Sequence, residues 1–222
     1  MQTMPFQAAI FDLDGTLVDS LRDLAETANS VLAGSGFPQH PIDAYRYFVG
    51  DGVSALVRRM LPASATEEQC RRCQEQFTDS YARNWRINSC PYPGIRDMLL
   101  GLKNFGLKIA VLSNKPHGFT RDFVEYFFPE HVFAAVFGQR PEVARKPSPQ
   151  GAIEIAALMR IAPSQCLYVG DTAIDMQTGR SAGMFTIGVL WGFRDRRELE
   201  EHRADLIVEQ PLEIVDYVLR SN

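Results

Sequence analysis

Six short runs of the chain are apolar almost throughout, and each breaks off into turn-forming residues. They are AAIFDLD (8–14), KIAVLSN (108–114), FAAVFG (133–138), CLYVGD (166–171), FTIGVLW (185–191) and DLIVE (205–209). A strand with one face in water alternates apolar and polar residues. Runs without alternation belong to strands covered on both faces, as in a parallel sheet packed between helices. Helical patterns fill the later intervals: IRDMLLGLKNFG, TRDFVEYFF, AIEIAALMRIA and MQTGRSAG, with LEIVDYVL closing the chain. The alternation predicts an α/β fold built on a doubly wound, mostly parallel sheet.

The first interval breaks this rhythm. Nearly a hundred residues separate the first two strands, far more than a crossover needs, and a structureless loop of that length is foreign to a compact domain. Its sequence is helical in pattern. Asp19 or Ser20 can cap LRDLAETANSVLAG, whose Leu21, Leu24, Ala28, Val31 and Leu32 share one face. Thr66 and Gln69 form a capping-box pattern, with Glu67 and Glu68 in the first turn. Cys70, Cys73, Phe77 and Tyr81 recur at helical spacing, so the CxxC of Cys70 and Cys73 reads as one apolar stripe; no second CxxC or spaced histidine pair accompanies it. The expectation is a helical domain over residues 17–88 inserted into a core made of 1–16 and 89–222, with NSCPYPG (88–94) as the return hinge.

Bulk composition excludes several classes. With 45% hydrophobic and 23% charged residues the chain is an ordinary globular one of 222 residues. A net charge of -4 gives no electrostatic reason to expect nucleic acid or a membrane surface as partner. No apolar run approaches the roughly 18 residues of a membrane span, and no secretory pattern opens the chain. A cytoplasmic location is expected.

In an open parallel sheet, ligands bind beyond the carboxyl ends of the strands. The first strand ends on Asp12 and Asp14, the second on Ser113 and Asn114 followed by Lys115, and the fourth on Gly170, Asp171 and Thr172 with Asp175 a turn later. Lys146 lies in ARKPSP, ahead of the helix that precedes the fourth strand. Convergent carboxylates, small polar groups and a lysine suit a phosphoryl substrate. A phosphate dianion cannot approach a bare carboxylate until cations neutralise it, and Mg²⁺ takes oxygen ligands of this kind. Each residue alone has a plainer reading: Asp171 as a helix cap, Asn114 as a turn former, Lys146 as a surface charge. A calcium loop starting at Asp12 would need glycine at its sixth position, where Leu17 stands, and no GK[ST] phosphate loop occurs.

DLDGTLVDS, LSN, Lys146 and GDTAIDM, in that order, resemble the four motifs of the haloacid dehalogenase superfamily, and they span nearly the whole chain. The resemblance implies a Rossmann-like core with a helical cap. It implies Asp12 as nucleophile through an aspartyl-phosphate, and Asp14 as the acid that protonates the leaving group and later the base for water. Mg²⁺ would be held by Asp12, the backbone carbonyl of Asp14 and Asp171, with Asp175 in support. Ser113, Asn114 and Lys146 would position the phosphoryl group. Dehalogenases lack the second aspartate; phosphonatases use a cap lysine, and none occurs between Leu17 and Cys90; sugar-phosphate mutases carry a cap-entry histidine where Leu24 stands. FVGDGVSALVRRML, SNKP and GQRPEVARKPSP resemble the phosphoglycolate phosphatases of the superfamily. That implies a small acidic phosphate monoester, 2-phosphoglycolate first. Gly50 and Gly52, in GDGVSA, can offer backbone amides to an anion, and Arg58, Arg59 and Lys115 are candidate cations for a substrate carboxylate. Pyrophosphatase or β-phosphoglucomutase-like chemistry, or a non-catalytic phospho-ligand-binding module, are the competing readings.

Overall fold

The computed structural model describes residues 6–130 and 132–221. β1 (Ala8–Phe11) opens the chain's main sheet, and a second, two-stranded sheet pairs β2 (Val18–Asp19) with β3 (Cys90–Pro91). Between these lie α1 (Leu21–Gly34), α2 (Tyr45–Phe48), α3 (Val53–Met60) and α4 (Glu67–Asn84). The chain continues through α5 (Ile95–Asn104), β4 (Lys108–Pro116), α6 (His117–Phe127), β5 (Phe133–Gln139), α7 (Gln150–Met159) and β6 (Cys166–Gly170). It ends with α8 (Ala173–Ser181), β7 (Phe185–Val189), α9 (Arg196–Glu201), β8 (Leu206–Val208) and α10 (Leu212–Ser221).

The main sheet runs β5-β4-β1-β6-β7-β8, and every strand pair in it is parallel. Ala8, Ile10, Ala110, Leu112, Cys166 and Tyr168 face one way and pack with Ala152, Ile155, Ala156 and Met159 of α7. The alternate residues Ala9, Phe11, Ile109, Val111, Leu167 and Val169 are buried as well. Both faces are covered, which is why the strand sequences show no alternation. The order reverses at β1: the chain moves outward through β4 and β5, then returns to β6 on the other side. β1 is therefore the switch point, where flanking connections diverge and leave a crevice at the carboxyl ends.

The chain divides into two compact units. One holds the residues up to Val18 together with those from Pro91 onward; the other is Asp19–Cys90. The sequence expectation had put these crossings at 16/17 and 88/89. Leu17 and Val18 stay with the sheet unit because their amides both donate to the Leu13 carbonyl at 3.0 Å.

Within the helical unit the expected capping box forms, Thr66 accepting from the Gln69 amide while the Gln69 side chain accepts from that of Thr66. Cys73, Phe77 and Tyr81 are buried along α4, with the Phe77 and Tyr81 rings stacked at 5.4 Å. All four cysteines are free. Ser20 makes no side-chain cap on α1; Asp19 accepts from the Leu21 amide at 3.3 Å. Asp23 is the tightest point of the unit. Its carboxylate accepts from the amides of Asn88 and Ser89, the Asn88 side chain and the Ser89 hydroxyl, at 2.7–3.0 Å, tying the start of α1 to the segment that leads out. Burial pushes Asp23 up, but these donors together hold it below the ordinary carboxylate range.

Candidate active site

Asp12 follows directly on β1, and its amide completes the ladder by donating to Val169 at 2.9 Å. The backbone then turns at once. Gly15 has φ +88, and a methyl on it would collide with the Asp171 carboxylate, so the residue must be glycine for conformation and for space. Gly170 closes in likewise: a side chain there would run into Asp175. Adjacent strands thus bring their terminal carboxylates together, and oxygens of Asp12, Asp171 and Asp175 lie within 4.8 Å of one another. Asp171 and Asp175 have no exposed surface.

Lys146 enters this cluster from the segment ahead of α7. Its Nζ stands 2.8 Å from Asp12 Oδ1 and 2.7 Å from Asp175 Oδ1. Burial works against the ammonium, but the two carboxylates more than offset it and hold Lys146 charged well above its ordinary range. Asn114, at the end of β4, grips the Lys146 backbone from both sides, accepting from its amide at 2.9 Å and donating to its carbonyl at 3.2 Å. The Asn114 side chain therefore acts on the site by fixing Lys146. Ser113 accepts from the Lys115 amide at 3.2 Å and is buried beside Asn114.

Asp175 divides its oxygens. Oδ1 takes Lys146, while Oδ2 accepts from the Thr172 amide at 3.1 Å and its hydroxyl at 2.7 Å, forming the capping box of α8. Asp171 accepts from the Thr16 hydroxyl at 3.0 Å and from the Phe193 amide at 2.8 Å, one donor on each oxygen. The Thr16 carbonyl accepts in turn from the Trp191 indole at 2.9 Å. Neither Thr16 nor the segment after β7 was among the sequence candidates. The strand-end rule pointed there, because FTIGVLW also ends at the carboxyl edge of the sheet, one strand removed from β1.

Lys115 pairs with Asp14. Proposed from sequence as a cation for a substrate carboxylate, it is 7% exposed and its Nζ lies 3.1 Å from both oxygens of Asp14. The ammonium also sits 4.2 Å above the Phe123 ring. The aspartate two residues past Asp12 is thus held by a lysine from β4, and the two carboxylates of DLD are separated by giving each its own ammonium.

The charges still do not balance. Four carboxylates face two ammonium groups, and the Arg194 guanidinium that also acts on Asp171 is shared with Glu198. Burial first, then Asp175, pushes Asp171 up to about 7, against the pull of the Phe193 amide and Thr16 hydroxyl. Burial also raises Asp12 well above its ordinary value; Lys146 opposes this, while Asp175 and Asp171 add to it. In both, burial is the largest cause and neighbouring carboxylates add to it. A buried, all-oxygen cluster of three carboxylates fits one hard divalent cation.

The residues proposed from the helical unit form pairs of their own there. Arg58 makes a two-point ion pair with Glu67 at 2.8 and 2.7 Å on an exposed surface. Arg59 donates to the Phe48 carbonyl at 3.1 Å and pairs with Asp51, bracing the turn that enters α3. Gly50 (φ +121) and Gly52 (φ +85) shape that turn in a backbone region other residues avoid, and Gly52 is the N-cap of α3.

Comparison with known proteins bears on the whole chain. A family model described as haloacid dehalogenase-like hydrolase matches residues 9–189. A phosphoglycolate phosphatase of Psychrobacter arcticus is 30% identical over 225 residues, covering 98% of both chains. One of Mannheimia succiniciproducens is 32% identical over 220 residues, covering 96% of this chain and 98% of its own. Among solved structures, a predicted phosphoglycolate phosphatase of Haemophilus somnus superposes with a TM-score of 0.88 at 28% identity, covering 96% of this chain and 97% of that one.

Proposed function

The chain belongs to the haloacid dehalogenase-like hydrolases and is a phosphatase, and on that premise we propose that it hydrolyses a small phosphate monoester, 2-phosphoglycolate first among them, through an aspartyl-phosphate on Asp12. The observation that carries this is the Asp12–Lys146 pair at 2.8 Å inside the Asp171–Asp175 cluster at the sheet's switch point. Mg²⁺ is the cation proposed for the cluster, held by Asp12, Asp171 and the Asp14 backbone; bound there it would neutralise phosphoryl oxygens. Asp175, whose oxygens serve Lys146 and Thr172, supports from behind.

The protein's own groups divide the remaining work. Asp12 Oδ attacks phosphorus, the P–O bond to the leaving group breaks, and Asp14 delivers a proton to the departing oxygen. Water then attacks the acyl-phosphate, Asp14 taking its proton, and Asp12 is freed as phosphate leaves. Lys146 sets its charge against the phosphoryl oxygens as they develop charge. The proposed role of the Asp19–Cys90 unit is that of a cap that selects the substrate and excludes water.

The test is turnover of p-nitrophenyl phosphate with and without Mg²⁺. Asp12→Asn should lose about 10⁴-fold or more in kcat, the scale seen when a nucleophile is removed. Equal rates for the two proteins would end the nucleophile assignment. A panel of phosphorylated metabolites then ranks 2-phosphoglycolate against sugar phosphates and pyrophosphate.

A further inference from the structure

Among the described residues, Asp12 and Asp175 pair with Lys146, while Asp171 accepts hydrogen bonds from two neutral donors. We propose that the turn Trp191–Gly192–Phe193, together with Thr16, is a positioning strap that fixes the orientation of the Asp171 carboxylate toward the divalent cation. The inference rests on the metal-dependent reading above.

The hydrogen bonds close into a ring through residues far apart in sequence. Thr16 donates to one Asp171 oxygen and the Phe193 amide to the other. The Trp191 indole donates to the Thr16 carbonyl, so the strap holds Asp171 directly at one end and through Thr16 at the other. With one donor on each oxygen, rotation about Cβ–Cγ would break a bond whichever way the group turned. Each oxygen keeps a lone pair for a cation.

Close packing reinforces the ring. A side chain at Gly192 would collide with Asp171 Cβ and with the Gly15 carbonyl, and one at Gly15 with Asp171 and the Phe193 ring. The strap therefore lies in contact with the carboxylate it orients, with no gap in which the group could swing. Its far end is anchored as well. Arg194 pairs with Glu198 at 3.2 Å, and the Glu198 carboxylate accepts from the Ala173 amide at 2.9 Å, two residues beyond Asp171. Partners that orient a ligating carboxylate typically govern metal affinity by about 10–100-fold. Trp191 thus acts on the cation through Thr16 and Asp171, without touching it.

The test is direct binding of Mn²⁺ to metal-stripped protein by titration calorimetry, with melting followed by circular dichroism. Wild type should bind one Mn²⁺ and Asp171→Asn should not. Trp191→Phe keeps an aromatic ring but removes the N–H, and should weaken binding about tenfold or more in protein that is still folded. Thr16→Val should weaken it similarly, while Thr16→Ser, which keeps the hydroxyl, should restore it to within about threefold. That pair decides the matter if Trp191→Phe does not fold. Wild-type affinity in Thr16→Val, or in folded Trp191→Phe, overturns the strap while leaving the metal site standing. Absence of Mn²⁺ binding to wild type overturns the metal reading and the strap with it.

Discussion

Two sets of basic residues were candidates for anion binding, and they live in opposite electrostatic settings. Lys115 and Lys146 in the sheet unit are 7% and 5% exposed, and each is locked to carboxylates of the DLD motif or its neighbours. Arg58 and Arg59 in the helical unit have side chains 56% and 39% exposed and pair with Glu67 and Asp51. Buried charges interact through a medium that screens them weakly, so a missing partner leaves an uncompensated ion at a large cost. An exposed pair surrenders its partner to water and salt at little cost. The lysines are therefore fixed to their carboxylates, whereas the exposed Arg58–Glu67 pair can be given up at little cost.

The contrast is sharpest at Asp14 and Lys115. Asp14→Asn should cost about 10²–10⁴-fold in kcat on alkyl phosphates, the usual worth of a positioned acid, and much less on p-nitrophenyl phosphate, whose leaving group needs no proton. Lys115→Met should reproduce that leaving-group pattern at smaller amplitude, with kcat falling and KM nearly unchanged. A rise in KM confined to 2-phosphoglycolate would instead return Lys115 to the role of carboxylate binder.

Asp23 extends the comparison from catalysis to stability, since it is a buried charge held by neutral donors alone. Its folded value lies below the unfolded one, near 3.9. The stabilisation is therefore fully present above the unfolded value and is lost as pH falls through the folded one. Asp23→Asn should lower the melting midpoint at pH 7 and change it less as pH falls below the unfolded carboxylate value. An equal loss across that range would assign the contribution to shape and not to charge.

The smallest expected effect belongs to the exposed pair. Arg58→Ala should leave the melting midpoint within about 2 °C of wild type and leave p-nitrophenyl phosphate turnover unaltered. If its KM for an acidic substrate rises several-fold, the exchange of Glu67 for substrate is supported. An unchanged KM across the metabolite panel would confine Arg58 to the surface.

The sheet was legible because burial on both faces leaves a mark in its inner strands, and the inserted helical unit because a hundred residues cannot be a crossover. Asp12, Asp171 and Lys146 were legible from strand ends and motif order. What escaped were links between a side chain and a distant backbone. Nothing in the sequence couples Asn114 to the peptide of Lys146, or Trp191 to the carbonyl of Thr16, because backbone acceptors carry no residue signature. Lys115 was legible as a cation but not as a partner of Asp14, since the pairing depends on β1 and β4 lying side by side. The two-residue strands β2 and β3 and the single turn of α2 are too short to leave a periodicity at all.

Where the chain leaves the sheet unit it also returns. β2 and β3 pair, and the Tyr92 amide donates to the Leu17 carbonyl at 3.2 Å. The gap between the two exits is thus about the width of one hairpin, whatever is threaded through it. Seventy-odd residues can be lengthened, trimmed or exchanged there without asking any strand of the main sheet to move. If the Asp19–Cys90 unit selects the substrate as proposed, selectivity is a detachable cartridge: the phosphoryl chemistry could stay constant while evolution, or an engineer, substitutes the part that chooses what is brought to it.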